Sequence, residues 1–144
     1  MLPMVTVAAG AGRSVFLDAG VPASEGETLP PDFVRAAVAD LRRGDKIAAW
    51  PTWWDPADLA AELPDDELGA VVSAEAPELP ADFFDVPVPV PPSWSTDVLY
   101  VQLSPSYDPD SATARERGWT VRGTGTGSHL DVASAPAHIA DLIS

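Results

Sequence analysis

The last third of the chain constrains the fold most. "DVLYVQLS" (97–104) is a nearly continuous apolar run that ends at a Ser-Pro turn signal. "SATARERG" (111–118) reads as a short helix stopped by Gly118, and "WTVRGT" (119–124) as another strand. "SAPAHIADLIS" (134–144) is an amphipathic helix with Pro136 in its first turn and Ile139, Leu142 and Ile143 facing inward. Strand, helix, strand, helix with short connections is the pattern of a parallel sheet. Strands covered on both faces read as continuous apolar runs rather than as alternation. "SVFLDAG" (14–20) has that character too, and ends in Asp18 and a Gly-Val-Pro turn. The expected fold class is α/β, a small parallel sheet of about three strands with flanking helices.

The rest of the chain is organised differently. "MLPMVTVAAG" predicts a small-residue helix ending at Gly10 and Gly12. "PPDFVRAAVADLRRGD" predicts a helix begun by Pro-Pro-Asp and stopped at Gly44. "WPTWWDPADLAAELPDDELGAVVSAEA" predicts two short helices, one starting near Asp55 and Pro56 and one near Asp65. "PELPADFFDVPVPVPPSW" is so rich in proline that it must be extended or turn-like. Residues 24–94 thus read as an inserted, mostly helical section followed by an extended return. The pieces on either side, 1–23 and 95–144, supply the sheet of a single domain.

Charge and composition exclude several classes of function. The 144 residues carry a net charge of −14, with one lysine and seven arginines, so no basic stripe is present to bind nucleic acid or an anionic membrane. The acidic surface reads as solubilising. No apolar run approaches the roughly 20 residues of a membrane span. The N-terminus lacks a basic region before its apolar part, which makes cytoplasmic the default location. The absence of cysteine excludes disulfides, thiolate metal sites and a cysteine nucleophile. The carboxylates of "PDDELG" read as a solvated helix start, and "GTGTG" lacks the spacing and lysine of a phosphate loop. No metal or organic cofactor is expected.

Chemistry in open parallel sheets gathers in the loops at the carboxyl ends of strands. Three ionisable residues fall there: Asp18 after the first strand, Asp108 after the second and His129 after the third. A histidine in that position can shuttle protons near neutral pH, and a carboxylate on its other ring nitrogen fixes its tautomer. Asp108 is the expected partner and Asp18 the runner-up. Asp131 follows His129 too closely to orient it and reads as a helix cap. His138 reads as a surface residue. Trp50, Trp53 and Trp54 cluster at the start of the inserted section, either as packing or as the wall of a substrate pocket.

These features resemble the C-terminal part of a small α/β-hydrolase of the esterase and hydroxynitrile-lyase-like kind. "SVFLDAGVP" is similar to the family's sixth strand and its exit, and "VLYVQLSPSYD" to the strand leading to the catalytic acid. "RERGWTVRGTGTGSHLDVASAP" is similar to the last strand and its Gly-x-His loop. The resemblance implies a general base at His129 held by Asp108, a cap formed by the inserted section, and a small apolar ester-like substrate. It also implies a serine in Gly-x-Ser-x-Gly, and no such motif occurs here. "GRSVF" around Ser14 lacks the second glycine and leads into a strand. The chain is therefore expected to be a truncated form lacking the nucleophile half, with negligible esterase activity alone and an unpaired edge on its first strand. The competing expectations are a non-catalytic binding protein of hydrolase descent and one half of a split enzyme.

Overall fold

The computed structural model describes residues 1–63, 65–92, 94 and 97–144. In chain order these form α1 (Leu2–Ala9), β1 (Ser14–Leu17), β2 (Gly26–Thr28), α2 (Asp32–Ala39), β3 (Arg42–Arg43), β4 (Lys46–Ile47), α3 (Pro56–Glu62) and α4 (Asp66–Glu75). They continue with β5 (Leu79–Pro80), β6 (Val88–Val90), β7 (Val98–Val101), α5 (Asp108–Glu116), β8 (Thr120–Arg122), α6 (Asp131–Ser134) and α7 (Pro136–Ile143). Two compact units result, one made of Met1–Thr28 with Val88–Ser144 and the other of Leu29–Pro87.

The first unit is built on a parallel sheet in the order β1-β7-β8. Ser14 pairs with Val98 and Leu17 with Val101, and on the other side Leu99 pairs with Thr120 and Val101 with Arg122. All four residues of the central strand β7 are buried, which explains its unbroken apolar sequence. Alternate residues serve opposite faces. Val98 and Tyr100 pack with Phe16, Val90, Trp94 and Ala114, with Leu2 and Trp119 at the margin. Leu99, Val101 and Leu103 pack with Ile139, backed by Val15, Leu17, Leu142 and Ile143. The first face holds an aromatic cluster in which Phe16 stacks on Trp119 with centroids 5.4 Å apart and meets Trp94 edge-on at 5.9 Å. Each such contact adds about 0.5–1.5 kcal/mol beyond the area it buries.

The helix termini are satisfied by local chemistry. α1 stops at Gly10, whose φ of 60° is open to glycine, and the Ala11 N–H closes the turn on the Thr6 carbonyl at 3.0 Å. At the far end of the chain, the Arg122 guanidinium donates to the Leu142 and Ser144 carbonyls at 2.8 and 2.7 Å, covering the open end of α7.

Three expectations shift. The boundary of the insertion moves inward, because 26–28 and 88–90 form an antiparallel ribbon, β2 with β6, that belongs to the sheet unit. Val88-Pro89-Val90 can be a strand because a two-stranded ribbon leaves one side of each strand without ladder partners, where proline's missing N–H costs nothing. Gly44 does not end a helix. α2 stops at Ala39, and Gly44, at φ 67°, makes the turn of the β3–β4 hairpin. α5 starts at Asp108, ahead of the predicted 111–118, after a 3₁₀ turn over Pro105–Tyr107. Pro109 favours this early start by fixing φ in the first turn.

The second unit contains α2, the β3-β4-β5 sheet, α3 and α4. α3 and α4 begin where the sequence predicts, and there the Asp55 carboxylate caps α3 on the Ala57 N–H and the Asp65 carboxylate caps α4 on the Leu68 N–H, both at 2.8 Å. Pro64 of the stretch read as two helices, Ser93 of the proline-rich return, and Ser95 and Thr96 lie outside the described residues.

Candidate functional site

The site is assembled from the carboxyl ends of the three parallel strands. β1 delivers Asp18. Its N–H still completes the sheet, donating to the Val101 carbonyl at 2.8 Å, but its φ of 42° turns the chain sharply. Aspartate is among the few residues with a side chain that tolerate this left-handed region. Asp18 is fully buried, and a buried carboxylate must be met by donors. It is met from the end of β7: the Leu103 N–H at 2.8 Å and the Ser104 N–H at 3.0 Å donate to Oδ1, and the Ser104 hydroxyl donates to Oδ2 at 2.6 Å. The Ala-Gly-Val-Pro segment that follows is tied down as well. The Val21 N–H donates to Asp110 at 2.7 Å, the Tyr100 hydroxyl to the Ala19 carbonyl at 2.9 Å, and the Arg117 guanidinium to the Pro22 carbonyl at 2.7 Å.

The loop after β8 delivers His129. Its glycines have a steric purpose. A Cβ on Gly123 would overlap the Gln102 carbonyl oxygen, one on Gly125 the Gln102 side chain, and one on Gly127 the Asp131 carboxylate. Gly123 and Gly125 also have φ of 84° and 66°. The loop can therefore run against the end of β7, where the Gly125 N–H reaches the Gln102 carbonyl at 3.3 Å and the Gly127 N–H the Leu103 carbonyl at 2.8 Å. Beyond His129, Asp131 accepts from the Ser128 N–H at 3.0 Å and from the Ser134 hydroxyl at 3.3 Å, bracing the loop instead of capping a helix.

His129 then lies with Nδ1 3.1 Å from Asp18 Oδ2 and its ring stacked on Tyr107, centroids 5.3 Å apart and planes 21° apart. The histidine side chain is 53% exposed while the aspartate is 0% exposed. A carboxylate fixed by three other donors can only accept from the ring. That sets the proton on Nδ1 and leaves Nε2 with its lone pair. Among the described residues Nε2 has no hydrogen-bond partner. The geometry is that of an imidazole anchored through Nδ1 on a buried carboxylate, in a side chain that is half exposed.

Of the residues singled out in the sequence, the structure brings together His129 and Asp18, the runner-up. Asp108 is not on the ring. It opens α5, and its carboxylate accepts from the Gln102 side-chain amide instead. His138 is exposed on α7. Trp50, Trp53 and Trp54 all belong to the Leu29–Pro87 unit. Trp53 donates from its indole to the Ala48 carbonyl at 2.6 Å and meets Phe84 edge-on at 6.2 Å, whereas Trp54 is exposed. Ser104, Tyr107 and Gln102 escape a reading by sequence. Ser104 and Gln102 flank Leu103 at the strand end, and that position was the available signal. Among the described residues no group of three or more histidine, aspartate or glutamate side chains could hold a metal ion, and no helix is long and apolar enough to cross a membrane.

No family model, curated protein or solved structure matches the chain.

Proposed function

We propose that this chain carries the proton-transfer half of an ester-type hydrolase of the α/β-hydrolase kind, with His129 as general base and Asp18 as its orienting acid. The Asp18–His129 hydrogen bond, on a carboxylate already held by three other donors, carries this reading. In the reaction, Nε2 of His129 takes the proton of an attacking hydroxyl as the tetrahedral intermediate forms, then returns it to the leaving alkoxide. Asp18 stabilises the imidazolium formed between those steps. The substrate class is a small, apolar ester-like molecule, as the resemblance implies.

The serine is supplied from outside these 144 residues, because no Gly-x-Ser-x-Gly is present. With purified chain and p-nitrophenyl acetate, turnover stays at the rate of free imidazole. Robust turnover abolished by His129→Ala would overturn the missing-nucleophile part of the proposal.

A second reading, a protein that works through association, is favoured by the sheet edge. Among the described residues β1 pairs only with β7, and Met4, Val5 and Val7 of the neighbouring α1 are exposed. Open parallel edges and apolar helix faces invite a partner. A dilute sample that stays monodisperse and monomeric in light scattering, and unfolds cooperatively, counts against this second reading.

A further inference from the structure

The Nδ1 hydrogen bond alone does not fix the His129 ring. One bond sets the distance to Asp18 but leaves the imidazole free to rock about that contact, and the side chain is 53% exposed. A proton-transfer group needs its free nitrogen held to within a few tenths of an ångström and about 10–20°. The second constraint must come from a surface lying against the ring plane.

We infer that Tyr107 is a positioning residue for His129, a platform that holds the imidazole plane so that Nε2 keeps one direction. The inference rests on the reading of His129 as the base. The two rings are stacked at 5.3 Å and 21°, within the range of favourable offset stacking. Tyr107 is itself secured from both sides along the chain. Three residues before it, Ser104 gives both its N–H and its hydroxyl to Asp18. Immediately after it, Asp108 accepts from the Gln102 amide. Gln102 is buried, with its N–H on the Arg122 carbonyl at 2.9 Å and its own carbonyl accepting from Gly125. The platform and the loop that carries His129 therefore hang from one buried residue. Asp108 serves here as an anchor of the platform.

The platform also suits the charge that catalysis creates. The Tyr107 phenol is pushed above its ordinary range by burial and by the Asp18 and Asp110 carboxylates, so the ring stays neutral. A neutral aromatic face attracts a cation, which favours the imidazolium formed at mid-reaction.

The experiment is NMR on the full, uniformly labelled chain carrying Tyr107→Phe or Tyr107→Leu. It reads the ring-proton shifts and ring C–H order parameter of His129, with the imidazole nitrogen shifts recorded in parallel. In the unmodified chain and the Phe variant the ring protons lie upfield and the order parameter is near the rigid value of about 0.85. In the Leu variant the upfield displacement disappears and the order parameter falls below about 0.6, while the proton stays on Nδ1. An unchanged order parameter in Tyr107→Leu, or a Phe variant that behaves like Leu, overturns the inference. Tyr107→Met, bulky and flexible but without a ring, gives the same test if the Leu variant fails to fold. A ring already protonated on Nε2 in the unmodified chain would instead defeat the underlying assignment of His129 as the base.

Discussion

Replacing Asp18 tests whether the site is also a structural keystone. Asp18→Ala orphans three donors, the Leu103 N–H, the Ser104 N–H and the Ser104 hydroxyl. Each buried donor left unmet costs about 1–3 kcal/mol. Water entering the vacated volume recovers part of that, so the lower half of the summed range applies, about 3–6 kcal/mol. Alanine at the φ of 42° adds about 1 kcal/mol that aspartate and asparagine largely avoid. The half-exposed His129 adds little to the loss. The total, about 4–7 kcal/mol, is comparable to the whole stability of a marginal domain. Asp18→Asn keeps Oδ1 on both N–H groups and lets the Ser104 hydroxyl turn to accept from the new amide, so about 1–2 kcal/mol is lost. The assay is urea unfolding followed at the amides of Val98–Val101, the buried central strand, which confines the readout to the sheet unit. An alanine variant losing less than about 2 kcal/mol, or an asparagine variant losing as much as alanine, refutes this account of the carboxylate.

Two further outcomes follow from the same geometry. Gly123→Ala must displace the Gln102 backbone, whereas Gly118→Ala, at φ 74°, meets no atom within 4 Å and carries backbone strain alone. Gly118→Ala is expected to cost about 1–2 kcal/mol and Gly123→Ala clearly more, and equal thermal midpoints for the two would contradict the close-approach argument. The Tyr100 phenol is held above its ordinary value near 10 by burial, then by Asp110 and Asp18. A folded-state value above the unfolded one means the stabilisation is complete below about pH 10 and is lost as pH rises through the folded value. Tyr100→Phe should flatten the alkaline fall in unfolding free energy above that pH, and an unchanged slope would contradict it.

The centre of the sheet was legible because β7 is buried on both faces, so "VLYV" announces itself without any knowledge of its neighbours, and "SVFL", at least half-buried along its length, shares that character. The helix starts near Asp55 and Asp65 were legible too, because a helix start is set by local chemistry, here the capping carboxylates. The choice between Asp18 and Asp108 was not. Both follow strands, and what separates them is that β1 lies beside β7, which brings Leu103 and Ser104 onto a carboxylate 85 and 86 residues earlier in the chain. Asp108 has the position of an acid in the sequence, in the loop after a strand. In the fold a helix begins there, and Gln102 captures the side chain. The β2–β6 ribbon was hidden by its proline, since strand propensity alone gives no credit for an edge position. The need for glycine in the histidine loop comes from the segment it runs against, at Gln102 and Leu103, which lies about 20 residues away in the sequence.

The central claim is that Asp18, and not Asp108, holds His129. Imidazole nitrogen shifts, measured at about pH 9 where an ordinary histidine is neutral, test it directly. The account predicts the Nδ1–H form in the unmodified chain, the same form in Asp108→Asn, and conversion to the Nε2–H form in Asp18→Asn, where the new amide competes as a donor. A neutral ring already protonated on Nε2, or a switch of tautomer in Asp108→Asn with none in Asp18→Asn, would contradict it.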